Sequence, residues 1–425
     1  MASSPVTPPV TILVPAHNEE LTIVDTVRSL LKLDYPSYEV IVIDDGSTDK
    51  TLEQLIRHYH LYPVDLIYRP VIPTGPVSGF YINPRYPNLT VIQKSWGGKS
   101  DALNVGINLA RSPYFCSIDA DTILEGDALL KIMKPFLESE TLVASGGIIR
   151  ILDGCTVEDG RIVTIDLPRK DILIFQVVEY LRSFLFGRTG WSTLGCLLVL
   201  SGAFSVFQKK AVQEVGGYAR DTVTEDFELI VRLHRRLRER KQPYQISFIP
   251  EPAAWTQVPD RYRILARQRR RWQRGLATTL FSNLRMFFNP RYGKIGLVAF
   301  PTTFFIELLG PGIELLGYGV VALSFYFNLI NLRMFWLFLL FALLYGVFLS
   351  VGAILIEEMT YRRYPKWSSL LKLLVYAVLE NFGYRQLNAW WRVQALFQLL
   401  SGKNGWGRIT RRRFARIRSR RPGGR

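Results

Sequence analysis

The chain has 425 residues, 48% hydrophobic and 13% aromatic, so it is not a disordered polymer and is long enough for two or more domains. Its formal net charge is +17. Seven arginines between Arg261 and Arg274 and ten basic residues between Ser401 and Arg425, with no acid in either stretch, account for that excess. One cluster precedes and the other follows the most apolar part of the chain, which fits anionic lipid headgroups and argues against nucleic acid as a partner.

In chain order, Val10 to Val14 is an apolar run ending at Pro15, and Leu21, Val24, Val27, Leu30 and Leu31 form one face of a helix. Val40 to Ile43 reads as a second strand running into Asp44-Asp45-Gly46-Ser47, with Thr48 and Asp49 placed to cap a helix over Thr51 to Tyr59. A third strand is expected over Leu66 to Tyr68. Arg69 to Asn88, with five prolines and two glycines, then reads as a long loop and a candidate flap. Leu89 to Gln93 resumes as a strand and Ser100 to Ala110 as a helix. Between them, Trp96-Gly97-Gly98-Lys99-Ser100 lacks the first glycine of a P-loop, yet a lysine at a helix start can meet an anion.

Pro113 to Ile118 is a buried strand that runs into Asp119-Ala120-Asp121. If extended geometry continues, both carboxylates project to one side of the strand end, where open α/β sheets bind ligands. A divalent cation on a diphosphate would offset their repulsion; a solvated acidic turn is the alternative. Asp127 to Leu137 reads as a helix, Thr141 to Leu152 as a strand and Asp153 to Leu167 as a hairpin. Leu194 to Phe207, broken by Ser201-Gly202, reads as a buried core segment. Thr224 is expected to cap a helix over Phe227 to Arg238, and an ionised Asp226 in its first turn could accept a proton. The three cysteines are scattered, as are the four histidines, so neither a disulfide framework nor a zinc pattern is expected, and the catalytic region should face a reducing cytosol. Residues 1–10 carry no signal-peptide pattern.

Arg261 to Phe288 is basic and amphipathic, as for a helix on a membrane surface, and contains Gln268-Arg269-Arg270-Arg271-Trp272. Guanidinium groups match phosphate oxygens, and a tryptophan face can stack on a sugar. Ile313 to Ile330 and Phe335 to Ile356 are long enough to span a bilayer, with Ile295 to Leu309 set apart by a Gly310-Pro311-Gly312 break. Leu370 to Leu379 continues into Glu380, Asn381 and Arg385, which belong inside a helix bundle or at the interface. Basic ends require an even number of crossings: two spans with partial helices beside them, or four.

Pro15-Ala16-His17-Asn18-Glu19, Asp44-Asp45-Gly46-Ser47, Gly98-Lys99 with Ala102-Leu103-Asn104, Asp119-Ala120-Asp121, Thr224-Glu225-Asp226 and Gln268 to Trp272 occur in that order. Together they resemble family 2 inverting glycosyltransferases, in particular the membrane-integrated processive branch of cellulose, hyaluronan and poly-N-acetylglucosamine synthases. The resemblance implies a GT-A fold in the α/β class, a doubly wound, mostly parallel sheet followed by amphipathic interface helices and a C-terminal transmembrane bundle. The expected division is a cytosolic catalytic domain over 1–240, an interface segment over 241–292, transmembrane and interfacial helices over 293–400 and a basic cytosolic tail over 401–425, lying on the cytoplasmic leaflet.

It further implies that Ala16, Glu19 and Asp45 hold the uridine of a UDP-sugar, with Lys99 close to the nucleotide. Asp119 would contact ribose or metal, and Asp121 would bind Mg²⁺ or Mn²⁺. Asp226 would be the general base, Gln268 and Arg271 would approach the pyrophosphate, and Trp272 with Ser201-Gly202 would meet the acceptor. The activity implied is metal-dependent transfer, with inversion, to a growing β-linked glycan; transfer of one sugar to a lipid is the alternative. The bacterial inner membrane is the implied location, with the catalytic domain cytoplasmic. The processive relatives carry one or two helices before the catalytic domain, so a partner subunit supplying them is a further expectation.

Overall fold

The computed structural model describes residues 7–401 and 412–415. Its centre is built from four apolar strands, each delivering a polar loop to the same edge. They are β1 (Val10–Ala16), β2 (Tyr38–Asp45), β5 (Leu89–Lys94) and β6 (Tyr114–Ile118), hydrogen-bonded in the order β5-β2-β1-β6 and all parallel. Burial on both faces explains their continuous Val/Ile-rich runs. The connecting helices are α1 (Ile23–Leu30), α2 (Thr51–Tyr59) and α3 (Lys99–Leu109). Asp49 accepts from the Thr51 N–H at 2.9 Å, as expected of a residue starting α2.

The sheet extends to ten strands and is mixed, with its longest ladders parallel. Its outer edge is β3 (Tyr62–Val64) and β4 (Val77–Ile82), the latter antiparallel to β5. The expected strand at Leu66 to Tyr68 is therefore absent. The Pro/Gly-rich stretch expected to be all loop contains β4, whose Phe80 reaches the core. Beyond β6 come β11 (Phe204–Gln208), β8 (Leu142–Ile151), β12 (Gln245–Thr256) and β7 (Thr122–Leu124). Helix α4 (Ala128–Glu138) packs on β8 and β12. The expected hairpin is β9 (Thr156–Glu158) and β10 (Arg161–Thr164).

The remaining helices surround this sheet or leave it. They are α5 (Asp171–Tyr180), which continues as a wide-turned π segment, Leu181–Arg188, then α6 (Thr189–Thr193), α7 (Lys209–Glu214), α8 (Glu225–Glu239) and α9 (Tyr262–Ser282). After them α10 (Phe300–Thr302), α11 (Gly310–Tyr326), α12 (Leu332–Thr360), α13 (Trp367–Leu379) and α14 (Tyr384–Leu400) make an apolar bundle. Among the described residues two helical stretches are long and apolar enough to cross a membrane, Ile295–Tyr326 and Leu332–Thr360.

The Gly310-Pro311-Gly312 sequence does not break the first of them. Wide turns over Thr303–Leu309 precede it, so Pro311 falls in the first turn of α11, where its missing N–H costs little. Helix α9 is not a free surface helix either. It lies against α8 on one side and α14 on the other, with Leu265, Arg269, Gln273 and Leu280 buried. The described part of the basic tail, Arg412 to Ala415, rests against the sheet unit. Phe414 is buried beside Trp255, and Arg412 pairs with Asp153 at 2.8 Å.

Candidate active site

The four parallel strands place the motif residues along one edge, and β1 with β6 forms the point where strand order reverses. Ligands bind open α/β sheets at such a point. On the β1–β2 side two loops are sewn together. Asn18, in a left-handed conformation (φ 59°), accepts from the Thr48 N–H at 2.8 Å, and Ser47 Oγ accepts from the Asn18 N–H at 3.0 Å. Ala16 and Glu19 are buried beneath these loops, and the Glu19 carboxylate accepts from Thr22 Oγ1 at 3.0 Å.

Asp45 is held more tightly than its sequence position implied. Its Oδ1 accepts from Lys94 Nζ at 2.7 Å and from the Gly97 N–H at 2.8 Å, and its Oδ2 from the Gly98 N–H at 2.7 Å. A carboxylate has about four lone-pair sites, so one remains for a ligand. Lys94 also pairs with Asp101 at 2.9 Å, and both side chains are fully buried. Asp101 in turn accepts from the Gly75 N–H at 3.1 Å and pairs with Arg220 at 3.1 Å. Lys94, Asp101 and Arg220 escaped sequence reasoning: a lysine closing a strand gives no sign that it will be buried. Together they tie the 69–88 excursion and the segment before α8 to the Gly97-Gly98 loop.

Beyond β6 the chain does not stay extended. The Thr122 N–H donates to the Asp119 carbonyl at 3.0 Å, making a turn, so the two aspartates do not share a strand face as the i, i+2 spacing predicted. The turn is anchored by Thr26 Oγ1, which donates to the Ala120 carbonyl at 2.8 Å. Asp119 is half-exposed and pairs with Lys99 at 2.7 Å, whereas Asp121 is buried and accepts from Thr256 Oγ1 at 3.2 Å. Among the described residues no cluster of three or more His, Cys, Asp or Glu forms a cage for a metal. Two carboxylates on one turn fit a magnesium-like cation, which takes one or two protein oxygens and completes its shell with phosphate and water.

Lys99 stands at the centre of the site. Besides Asp119 it pairs with Glu225 at 3.0 Å and approaches the Gly202 carbonyl at 3.5 Å. The Gly202 N–H donates to Asp226 Oδ2 at 3.1 Å, and the Phe227 N–H to Asp226 Oδ1 at 2.8 Å. Asp119, Lys99, Ser201-Gly202, Glu225 and Asp226 thus meet, although up to 127 residues (226 minus 99) separate them. A Cβ on Gly202 would lie 2.8 Å from Lys99 Nζ and 3.4 Å from Asp226 Oδ2, so only glycine leaves this space open.

Burial and the adjacent Glu225 raise the Asp226 pKa above the usual aspartate value, with Lys99 opposing. For Glu225 burial also acts upward, but Lys99, a backbone hydrogen bond and Arg271 together outweigh it and hold the pKa low. Burial would lower the Lys99 pKa; Asp119, Glu225 and Asp226 more than offset this and keep it charged. Arg188 is a further cation that sequence reading missed. Burial brings its pKa down to about 10, Asp226 opposes that, and its guanidinium lies 3.9 Å over the Phe184 ring.

Thr224 holds the N-cap position of α8 without capping it, and its buried Oγ1 has no hydrogen-bond partner. The reason is contact with Gly275 of α9, where a Cβ would lie 2.1 Å from Thr224 Oγ1. Gln268, Arg271 and Gly275 are spaced i, i+3, i+7 and share one helical face, so that face looks toward the start of α8. Arg271 accordingly helps to lower the Glu225 pKa. Gln268 Oε1 and Arg271 Nε are buried without hydrogen-bond partners. Trp272 is 37% exposed, with the Arg269 guanidinium 4.6 Å over its ring. Gly275→Ala is expected to cost about 1–3 kcal/mol, the usual range for overpacking, and to lower activity with it. Adding Thr224→Gly should restore both, as thermal denaturation and turnover of the single and double variants will establish.

Residues 114–355, more than half of the chain, match the description of glycosyl transferase family group 2, and residues 11–72 match that of glycosyl transferase family 2. The chain belongs to this family. Among relatives of this family 2 chain is the poly-beta-1,6-N-acetyl-D-glucosamine synthase of Staphylococcus epidermidis, 30% identical over 266 residues, covering 63% of this chain and 54% of the relative. The synthase of the same name from Staphylococcus aureus strain COL is 31% identical over 280 residues, covering 66% and 57% respectively. The chain therefore spans about half the length of the curated relatives it matches. Its fold is shared by a mannosyltransferase, PcManGT, from Pyrobaculum calidifontis, solved in complex with GDP-Man and Mn2+. That structure has a TM-score of 0.56 and 19% identity, and the match covers 89% of this chain and 88% of that one.

Proposed function

We propose that this protein is a membrane-bound inverting hexosyltransferase that extends a β-linked glycan from a UDP-sugar, with UDP-N-acetylglucosamine the first donor to test. The observation that carries this reading is the meeting of Asp119, Lys99, Gly202, Glu225 and Asp226 beside the face of α9 that bears Gln268 and Arg271. The names of the staphylococcal relatives support the choice of product.

Asp226 is the general base. Its two backbone hydrogen bonds fix the carboxylate and leave lone pairs to take the proton of an acceptor hydroxyl. Ser201-Gly202 and the exposed Trp272 receive the acceptor sugar. Ala16, Glu19 and Asp45 border the uridine, with Lys94 and the Gly97-Gly98 amides holding Asp45 in place. Lys99, Gln268 and Arg271 face the diphosphate; charge that grows on the departing UDP is stabilised more in the transition state than in the ground state. Asp121 and Asp119 would hold Mg²⁺ or Mn²⁺, which neutralises the diphosphate when bound. The two long apolar helices support a membrane-integrated reading, in which the catalytic unit lies on the cytoplasmic side. Because β12 (Gln245–Thr256) pairs with β8 inside the sheet, the catalytic unit runs past 240 to the end of β12, and the interface segment to 292 and the helices over 293–400 follow it.

Acceptor-dependent UDP release tests the reading. Stimulation by β-linked oligosaccharide supports it, stimulation by diacylglycerol or ceramide alone would move the protein to glycolipid synthesis, and no stimulation by either would sink both. The acid limb of the pH–rate profile gives a second check. Asp226 must be ionised to act, so activity falls as pH drops through its raised pKa. Glu225→Gln removes the neighbouring charge that raises it, and the acid limb of kcat/KM should move to lower pH.

A further inference from the structure

Midway along α12 the surface opens into a cavity of about 350 Å³, bounded by Phe338, Phe341, Tyr345 and Leu349 with Arg182 and Arg385. Arg182 comes from the wide-turned segment after α5 and Arg385 from the first turn of α14. Arg182 is bonded to the buried Glu380 carboxylate and, at 2.5 Å, to Ser350 Oγ. Arg385 donates to the neutral Asn381 Oδ1 at 2.9 Å. Arg182 is thus matched by Glu380, whereas Arg385 forms no ion pair among the described residues; Glu314 of α11 reaches this cluster only through Tyr318, which donates to it at 2.6 Å and accepts from Gln386 at 3.2 Å. The wall of α12 offers no compensation, because no charged residue lies between Arg333 and Glu357.

The cavity is also shaped around Arg385. A Cβ on Gly346 would lie 2.7 Å from Arg385 Nη1 and 2.6 Å from Asn381 Oδ1, so a side chain there would displace the guanidinium. Glu357, eleven residues further along α12 (357 minus 346), is bonded to Arg150 of β8. At ~1.5 Å per residue, Gly346 stands about 16 Å deeper in the span than that contact. A cation at such depth requires a counter-charge. Phe338, Phe341 and Tyr345 are 72%, 69% and 58% exposed beside it, an apolar wall open to lipid.

We propose that this cavity binds an anionic glycerophospholipid, its phosphate on Arg385 and Arg182 and an acyl chain along Phe338, Phe341 and Tyr345. Arginine suits a phosphate through paired N–H donors, and a guanidinium bonded only to a neutral amide favours an anionic headgroup over a neutral one. The inference rests on the membrane placement proposed above but not on the identity of the donor or acceptor sugar.

The full chain, purified in a non-ionic detergent, is titrated with phosphatidylglycerol or with diacylglycerol of the same chain length. Lipid retention is read by native mass spectrometry and stabilisation by thermal shift. Phosphatidylglycerol should be retained and should raise Tm, and diacylglycerol should do neither. Arg385→Gln, at an exposed position and still able to donate to Asn381, should fold normally and weaken retention about tenfold. Gly346→Leu, which fills the space, should abolish it; Arg385→Lys should retain part. Equal retention by wild type and Arg385→Gln, an equal response to diacylglycerol, or a glycan or second copy of the chain in the cavity would overturn the proposal. A chain that stays in solution without detergent would instead overturn the membrane placement on which it rests.

Discussion

Asp226→Asn is expected to lower sugar transfer by about 10²–10⁴-fold, the usual contribution of a positioned base, while leaving donor affinity within a few fold of wild type. Asparagine keeps an oxygen to accept from the Gly202 or Phe227 N–H, so the loop geometry around α8 should persist. What it loses is the ability to take a proton. The variant also removes one of the negative charges around Lys99, which stays paired with Asp119 and Glu225. Calorimetric titration with the UDP-sugar, set beside kcat from UDP release, separates binding from chemistry. Turnover at the wild-type rate would remove Asp226 from the role, and loss of donor binding in parallel would make it a positioning residue instead.

The second large effect concerns the joint between the catalytic sheet and the helix bundle. Arg150 at the end of β8 and Glu357 near the end of α12 form an ion pair in which the side chains are only 2% and 3% exposed. Arg150→Met is expected to destabilise the protein by about 3–5 kcal/mol, because it strands a buried carboxylate. Adding Glu357→Leu should recover most of that loss, since a packed apolar pair avoids the desolvation cost. Denaturation in detergent of the two single variants and the double variant measures this directly. Single and double variants of equal stability would mean that the pair carries no such weight.

The parts of this protein most legible in its sequence were those where one local rule dominates. Strands that end in carboxylates, an Asx-started α2 and the long apolar runs of α11 and α12 all announce themselves through pattern and spacing. The gathering of Asp119, Lys99 and Asp226 was implied only by resemblance, since no periodicity links residues so far apart. Where several interactions compete, the local rule failed. Strand β4 lies hidden among prolines and glycines, although Val77, Phe80, Tyr81 and Ile82 are strand formers and pair with β5. Thr224 has the residue type of a helix cap, yet the close approach of Gly275 commits it to packing. The buried Lys94–Asp101 pair is a tertiary consequence of three loops meeting, for which a lone lysine gives no signal.

The most direct test of the central claim, sugar transfer at the Asp119–Lys99–Asp226 cluster, is a donor panel. Membranes containing the protein are supplied with radiolabelled UDP-N-acetylglucosamine, UDP-glucose, UDP-glucuronic acid or GDP-mannose, with and without Mg²⁺ or Mn²⁺, and the product is sized before and after linkage-specific glycanases. Label from a UDP-sugar is expected in a β-linked glycan, dependent on the metal and lost in Asp226→Asn. Failure of every donor to yield product, or product formation undiminished in Asp226→Asn, would contradict the claim.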